Sequence, residues 1–151
     1  VIRVDECLKK FKSDLKIIAL ETTARTAKDA ANSLKCELGA IVKSLVFKAE
    51  NVFLICLIAG DKRCSLNKLK KILNKKDVSM ANANEVKEIT GFSIGGVSPI
   101  GHLNKLDIII DKSLSRFEHI YGAAGHPDCV FKITYSELVK LTSGKEAEII
   151  E

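Results

Sequence analysis

Residues 39–63 read GAIVKSLVFKAENVFLICLIAGDKR. Two apolar runs, 39–49 and 51–63, stand almost back to back, and the second ends in a Gly-Asp turn. Both read as strands. So short a link predicts antiparallel pairing, because a parallel crossover needs about a dozen residues or more. A buried hairpin is therefore the centre from which the rest of the chain is read.

Upstream, Val4, Leu8, Phe11 and Leu15 form one helical stripe in VDECLKKFKSDL, and LKIIAL starts a strand. Residues 26–36 read as a helix capped by Thr26, with Asp29 closing a capping box and Ala27, Ala30, Ala31 and Leu34 inward. Downstream, Ser65 caps a basic helix reaching about Leu73, with Leu66, Leu69, Ile72 and Leu73 facing inward. DVSMA is a short strand. Asn82 and Glu85 form a capping box before ANEVKEIT, which Gly91 ends. KLDIIID, HIYGAAG and CVFKITY are strands, the last two a pair. Thr134 with Glu137 opens a final helix, and EAEII is a closing edge strand. Short strands with interspersed helices predict a mixed α/β domain over residues 1–151, without the regular βα repeat of a doubly wound fold.

The composition is that of a globular chain, with 46% hydrophobic residues and no internal repeat. No apolar run approaches the roughly 18 residues of a membrane span. The first residues carry no secretory apolar segment. Five cysteines at 7, 36, 56, 64 and 129 form no CxxC pair. They read as small buried hydrophobes in a reducing, cytoplasmic compartment. Net charge is +5, but residues 61–76 hold seven basic side chains and one acid. That segment is either a solvated helix face or a surface for phosphates.

Conventional catalytic motifs are missing. His102, His119 and His126 fit no zinc spacing, and there is no HExxH, GxSxG or Walker loop. Cys64 follows Lys62 and Arg63, which could lower its pKa, or it is a half-buried residue beside a turn. Lys43, alone among apolar neighbours, either snorkels to solvent or offers a fixed positive charge to an anion. GGVSPIGH, residues 95–102, puts three glycines and a proline into eight positions. Gly95 and Gly96 allow close backbone approach, and Pro99 holds Ser98 out of the α region. This is either a tight connection or a rigid array of backbone amides and carbonyls.

In their order and spacing, these pieces resemble the YbaK and prolyl-tRNA synthetase editing-domain family. The resemblance runs through TARTAKDAANSL, IVKSLVF, LIAGDKR, MANANEVKEITGFSIGGVSPIGH, LDIIIDKSL and IYGAAGHPDCVFKITYSELVKLT. It implies a partly closed, largely antiparallel sheet with surrounding helices. It also implies a free-standing deacylase of mischarged tRNA, with tRNA(Pro) carrying Cys, Ala or another small amino acid as substrate.

Carried over residue by residue, the family's lysine is Lys43 and its G-x-x-x-P motif runs from Gly95 to Pro99. Lys43, Gly95 and Gly96 would serve catalysis, and Ser44, Ser98, Pro99, Gly125 and His126 would hold the aminoacyl end. Lys62, Arg63, Lys68 and Lys71 would meet the acceptor stem. Neither metal nor other cofactor is implied. Water would attack with help from the terminal ribose, which accounts for the missing triad. Members directed at alanyl-tRNA tend to carry Asn where this chain has Ser44, so alanine specificity is not implied. His102 and His119 receive no role beyond solvent-facing positions. Association with a synthetase is a further expectation. Two alternatives stay open: a tRNA- or synthetase-binding module without turnover, and a hydrolase of a smaller acylated nucleotide.

Overall fold

The computed structural model describes residues 1–12, 15–20, 26–126 and 128–151. Thr23–Arg25 of the first family motif, Ser13 and Asp14 of the first expected helix, and Pro127 lie outside the described residues.

The hairpin forms as expected. Strand β2 (Val42–Ala49) pairs antiparallel with β3 (Val52–Ala59) along its whole length, from Val42 opposite Ala59 to Ala49 opposite Val52. The connection is Glu50–Asn51, with Glu50 at φ 55°. Strand β3 lies mid-sheet and is buried on both faces. By strand alternation Ile55, Leu57 and Ala59 join one core, and Leu54, Cys56 and Ile58 join another. Burial of each large aliphatic side chain contributes about 1.5–3 kcal/mol. This two-sided demand explains why VFLICLIA is continuously apolar.

Around the hairpin the order is β4 (Val78–Met80), β2, β3, β5 (Asp107–Asp111) and β8 (Lys145–Ala147). The β4–β2 and β2–β3 pairings are antiparallel, while β3–β5 and β5–β8 are parallel. A second, wholly antiparallel sheet orders β1 (Ile17–Ala19), β7 (Cys129–Ile133) and β6 (Ile120–His126). One bridge, Ile41 to Tyr121, joins the sheets beside the start of β2. The mixed α/β class and the largely antiparallel, partly closed sheet are as expected.

The helices are α1 (Ile2–Phe11), α2 (Ala27–Leu34), α3 (Leu66–Leu73), α4 (Ala83–Thr90) and α5 (Tyr135–Thr142). Ser65 caps α3 by accepting from the Lys68 amide, and full capping boxes open α4 and α5. Thr26 accepts from the Asp29 amide, one half of the expected box. Two details depart from the periodic reading. Helix α1 ends at Phe11, which is exposed, and Leu15 is buried beyond the helix. Leu66 is also exposed, whereas Leu69 enters the core with Ile72 and Leu73 packed against it. Cysteines 7, 36, 56, 64 and 129 are all free thiols. Among the described residues no helix is long and apolar enough to cross a membrane.

Candidate active site at the open edge of the central hairpin

Strand β4 covers β2 only at Phe47–Ala49, and the Tyr121 bridge touches only Ile41. Between them, among the described residues, no strand pairs with the edge of β2 that faces away from β3. Ladder alternation fixes which backbone groups face this gap. The Gly60 amide donates to the Ile41 carbonyl, so odd-numbered residues of β2 bond to β3. Even-numbered ones face the other way, as the Val46 carbonyl does in accepting from the Ala81 amide. Ser44 therefore directs its own N–H and C=O into the gap.

A cleft of about 250 Å³ follows this edge. It brings together Lys43, Ser44, Gly95 and His126. Its walls are mainly apolar and include Val42, Val46, Val86, Val97 and Val130. Ser44 shares the sheet face of Val42 and Val46, and its buried hydroxyl has no hydrogen-bond partner among the described residues. Such an orphan is costly unless something else satisfies it.

Lys43 leaves the opposite face, that of Leu45 and Phe47. Its half-buried ammonium donates to the Lys62 carbonyl. Burial, and then the Arg63 charge, lower its pKa from the ordinary lysine value, against the pull of Asp61 and Cys64. Lysine carries three N–H donors, so two are left for an anion.

Gly95 lines the cleft, whereas Gly96, Ser98 and Pro99 stand behind it. The Gly96 amide donates to the Ser93 carbonyl, closing a turn with Ile94 and Gly95 at its tip. Gly95 has φ 92°, a left-handed value that favours glycine, and a Cβ there would meet nothing within 4 Å. Gly95→Ala is therefore expected to strain the turn without a clash, destabilising the protein by about 1–2 kcal/mol. Chemical denaturation checks the stability, and kcat/KM for the proposed substrate should fall with the displaced turn.

Ser98 is completely buried, and its hydroxyl accepts from the Ile100 amide. The substrate-binding role expected of Ser98 thus meets a structural one: its hydroxyl is occupied inside the loop. Pro99 reaches β6, its Cγ only 3.0 Å from where a Cβ on Gly122 would stand.

His102 corrects the solvent-facing expectation. It is partly buried, lies edge-on to Phe92, and its Nε2 is 2.6 Å from the Ser98 carbonyl. Burial pushes its pKa below the ordinary value, opposed by the Ser98 bond and helped by Arg3. The unfolded chain therefore takes up a proton near pH ~6.5 that the folded chain refuses. Stability should be full above that pH and fall as pH drops toward the lower folded value. Denaturation midpoints across this window check the slope, which His102→Gln should flatten.

His126 follows Gly125, at φ 92°, where the β6–β7 register is irregular. Such a bulge re-aims side chains. A Cβ on Gly125, itself outside the lining, would lie 2.8 Å from the Phe92 ring. The Asp128 amide donates to Nδ1 of His126, so in that bond the neutral ring carries its proton on Nε2. Cys129 also lines the cleft, yet no hydrogen bond joins its thiol to this histidine. Among the described residues, the cleft thus holds a cation, an orphan hydroxyl, unpaired edge groups and an imidazole, without a hydrogen-bonded nucleophile–base pair. Among the described residues, no cluster of three His, Cys, Asp or Glu side chains could hold a metal ion.

Of the basic set, Arg63 and Lys71 are exposed and Lys62 is half-buried. Lys68 is committed to the Ile150 carbonyl at 2.7 Å. Met80, Ile94, Tyr121 and Cys129 are cleft residues that the sequence reading did not single out. Their only signal is tertiary convergence.

This architecture is that of a known family. The chain belongs to the aminoacyl-tRNA editing domain family, whose profile matches residues 21–141. Over 99% of this chain it superposes, with TM-score 0.94 and 36% identity, on 96% of a crystal structure described as "a putative trans-editing enzyme for prolyl tRNA synthetase". The uncharacterised protein YwhH of Bacillus subtilis is 32% identical over 130 residues, 85% of this chain and 82% of its own. The proline–tRNA ligase of Lactobacillus acidophilus is 35% identical over 107 residues, 71% of this chain but only 19% of the ligase.

Proposed function

We propose that this protein hydrolyses the ester of a mischarged tRNA, tRNA(Pro) bearing a small uncharged amino acid, and that it acts in trans. The observation that carries this reading is the convergence of Lys43, Ser44, Gly95 and His126 on one cleft at an open strand edge. Lys43 and Ser44 leave opposite faces of β2, so a substrate would straddle the edge. On the Ser44 side, the apolar walls suit a small acyl group, and the orphan hydroxyl and edge groups of Ser44 meet its polar atoms. On the other side, Lys43 with Lys62 and Arg63 nearby suits a phosphate.

The chemistry then needs a held ester, a placed water and a stabilised oxyanion. The Ser44 N–H is a fixed donor for the carbonyl oxygen as charge develops on it. Lys43 anchors the nucleotide, and the ribose hydroxyl orients the water. A hydrophobic pocket separates substrates differing by one methylene by only about 1–3 kcal/mol, so several small amino acids are accepted.

The test is a panel of tRNA(Pro) charged with alanine, cysteine, serine or proline, read as loss of ester with time. Hydrolysis of one or more noncognate esters, with the prolyl ester spared, is the expected result. No loss from folded, tRNA-binding protein would sink the reading in favour of a binding module. For the acceptor stem, Lys62→Gln, Arg63→Gln and Lys71→Gln together should weaken tRNA binding. The salt slope should drop by about 0.7–0.9 for each phosphate that is no longer neutralised. An unchanged slope would return the basic segment to an ordinary solvated surface.

A further inference from the structure

We propose that Met80 and Ile94 form an apolar lip that receives the terminal base of the acylated nucleoside. The inference rests on the deacylase reading of the same cleft and adds a subsite to it. Met80 is 59% exposed and Ile94 is 60% exposed, yet both line the cleft. They come from different elements: Met80 ends β4 opposite Phe47, and Ile94 sits at the tip of the Ser93–Gly96 turn. A single exposed apolar side chain needs no explanation. Two of them, both lining one cleft from different elements, offer apolar surface to a ligand that enters it.

The occupant follows from size and connectivity. A cleft of about 250 Å³ is smaller than the roughly 300–1,000 Å³ of sites that enclose whole drug-sized ligands. It can take an acyl group and its ester but not a complete aminoacyl-nucleoside. With the ester at Ser44, the base of the same nucleoside stays at the mouth. An aliphatic side chain and a thioether fit the face of a flat ring, and sulfur–aromatic contact is favourable. Neither residue offers a strong hydrogen-bonding group to a base edge. The lip therefore reads the presence of a base more than its identity. The glycine at position 95 acquires a second purpose, since its left-handed φ presents Ile94 at the turn's tip.

The experiment compares wild type with a Met80→Ala/Ile94→Ala double variant on two forms of one mischarged tRNA. One ends in adenosine, and the other carries the same acyl group on an abasic terminal ribose. Wild type should lose about tenfold in kcat/KM when the base is removed. The double variant should lose about as much on the intact substrate and nothing further on the abasic one. Both side chains are exposed, so thermal unfolding should stay near the wild-type midpoint. Equal losses on both substrates, or no effect of base removal in wild type, would overturn the lip. Binding of non-hydrolysable amide-linked analogues of the two forms decides the matter independently of turnover. If wild type hydrolyses neither ester, the deacylase reading fails. The affinity ratio then still judges the lip: about tenfold in wild type and near one in the variant supports it, and equal ratios overturn it.

Discussion

Lys43→Met should lower deacylation at least about 100-fold while leaving the protein folded. The methionine keeps most of the half-buried stem in place and removes only the ammonium. That ammonium is held by the Lys62 carbonyl beside Arg63, on the far side of the strand edge from Ser44. Its removal takes away the fixed cation against which a terminal phosphate would lodge. Lys43→Arg should restore part of the activity, because the charge returns with a planar fork in place of a compact ammonium. Ester loss under single-turnover conditions, with thermal unfolding measured in parallel, checks both variants. An unchanged rate in the methionine variant would remove Lys43 from the site.

Gly122→Ala should damage stability and activity together. Its Cβ would stand 2.8 Å from the Phe131 ring and 3.0 Å from Pro99 Cγ. Phe131 is wholly buried in the core and cannot yield freely. Pro99 is also buried, and it belongs to the loop that presents Gly95. Overpacking of this kind costs about 1–3 kcal/mol. Denaturant midpoints should therefore fall, and kcat/KM should fall by more than the loss of folded protein explains. Wild-type behaviour in both assays would show that Pro99 is not braced on β6. Gly95→Ala offers the contrast, since it strains the backbone while meeting no atom.

These variants also mark what could be read from the residues alone. The hairpin, the caps at Ser65, Asn82 and Thr134, and the stop at Gly91 were legible because each rests on neighbours in sequence. The parallel partners of β3 and β5 were not legible, since nothing local in LDIIID or KEA names a distant strand. Lys43 and the Gly95–Pro99 loop stood out in the residues themselves, and the family resemblance gave them roles. Their partition did not. Only the fold shows that Gly95 and Ser44 face the cleft, that Ser98 is buried behind it, and that Lys43 leaves by the other face. Gly122 looked like any strand glycine, because Phe131 and Pro99 reach it from elsewhere. Nothing in the sequence singled out Met80 or Ile94, and their exposure is a property of the assembled cleft.

The open stretch of β2 has a meaning beyond chemistry. Unpaired strand edges invite other chains to add to a sheet, and proteins blunt them with charge, short length or a cover. Here the free stretch is short, stopped at one end by β4 and at the other by Tyr121. A lysine stands within it, and helix α2 and the Ile94 turn contribute to the walls of the cleft beside it. A foreign strand would have to enter lengthwise into a slot closed at both ends, whereas a single chain terminus can enter end-on. The enclosure that admits one small group thus keeps this stretch of β2 from taking up a foreign strand.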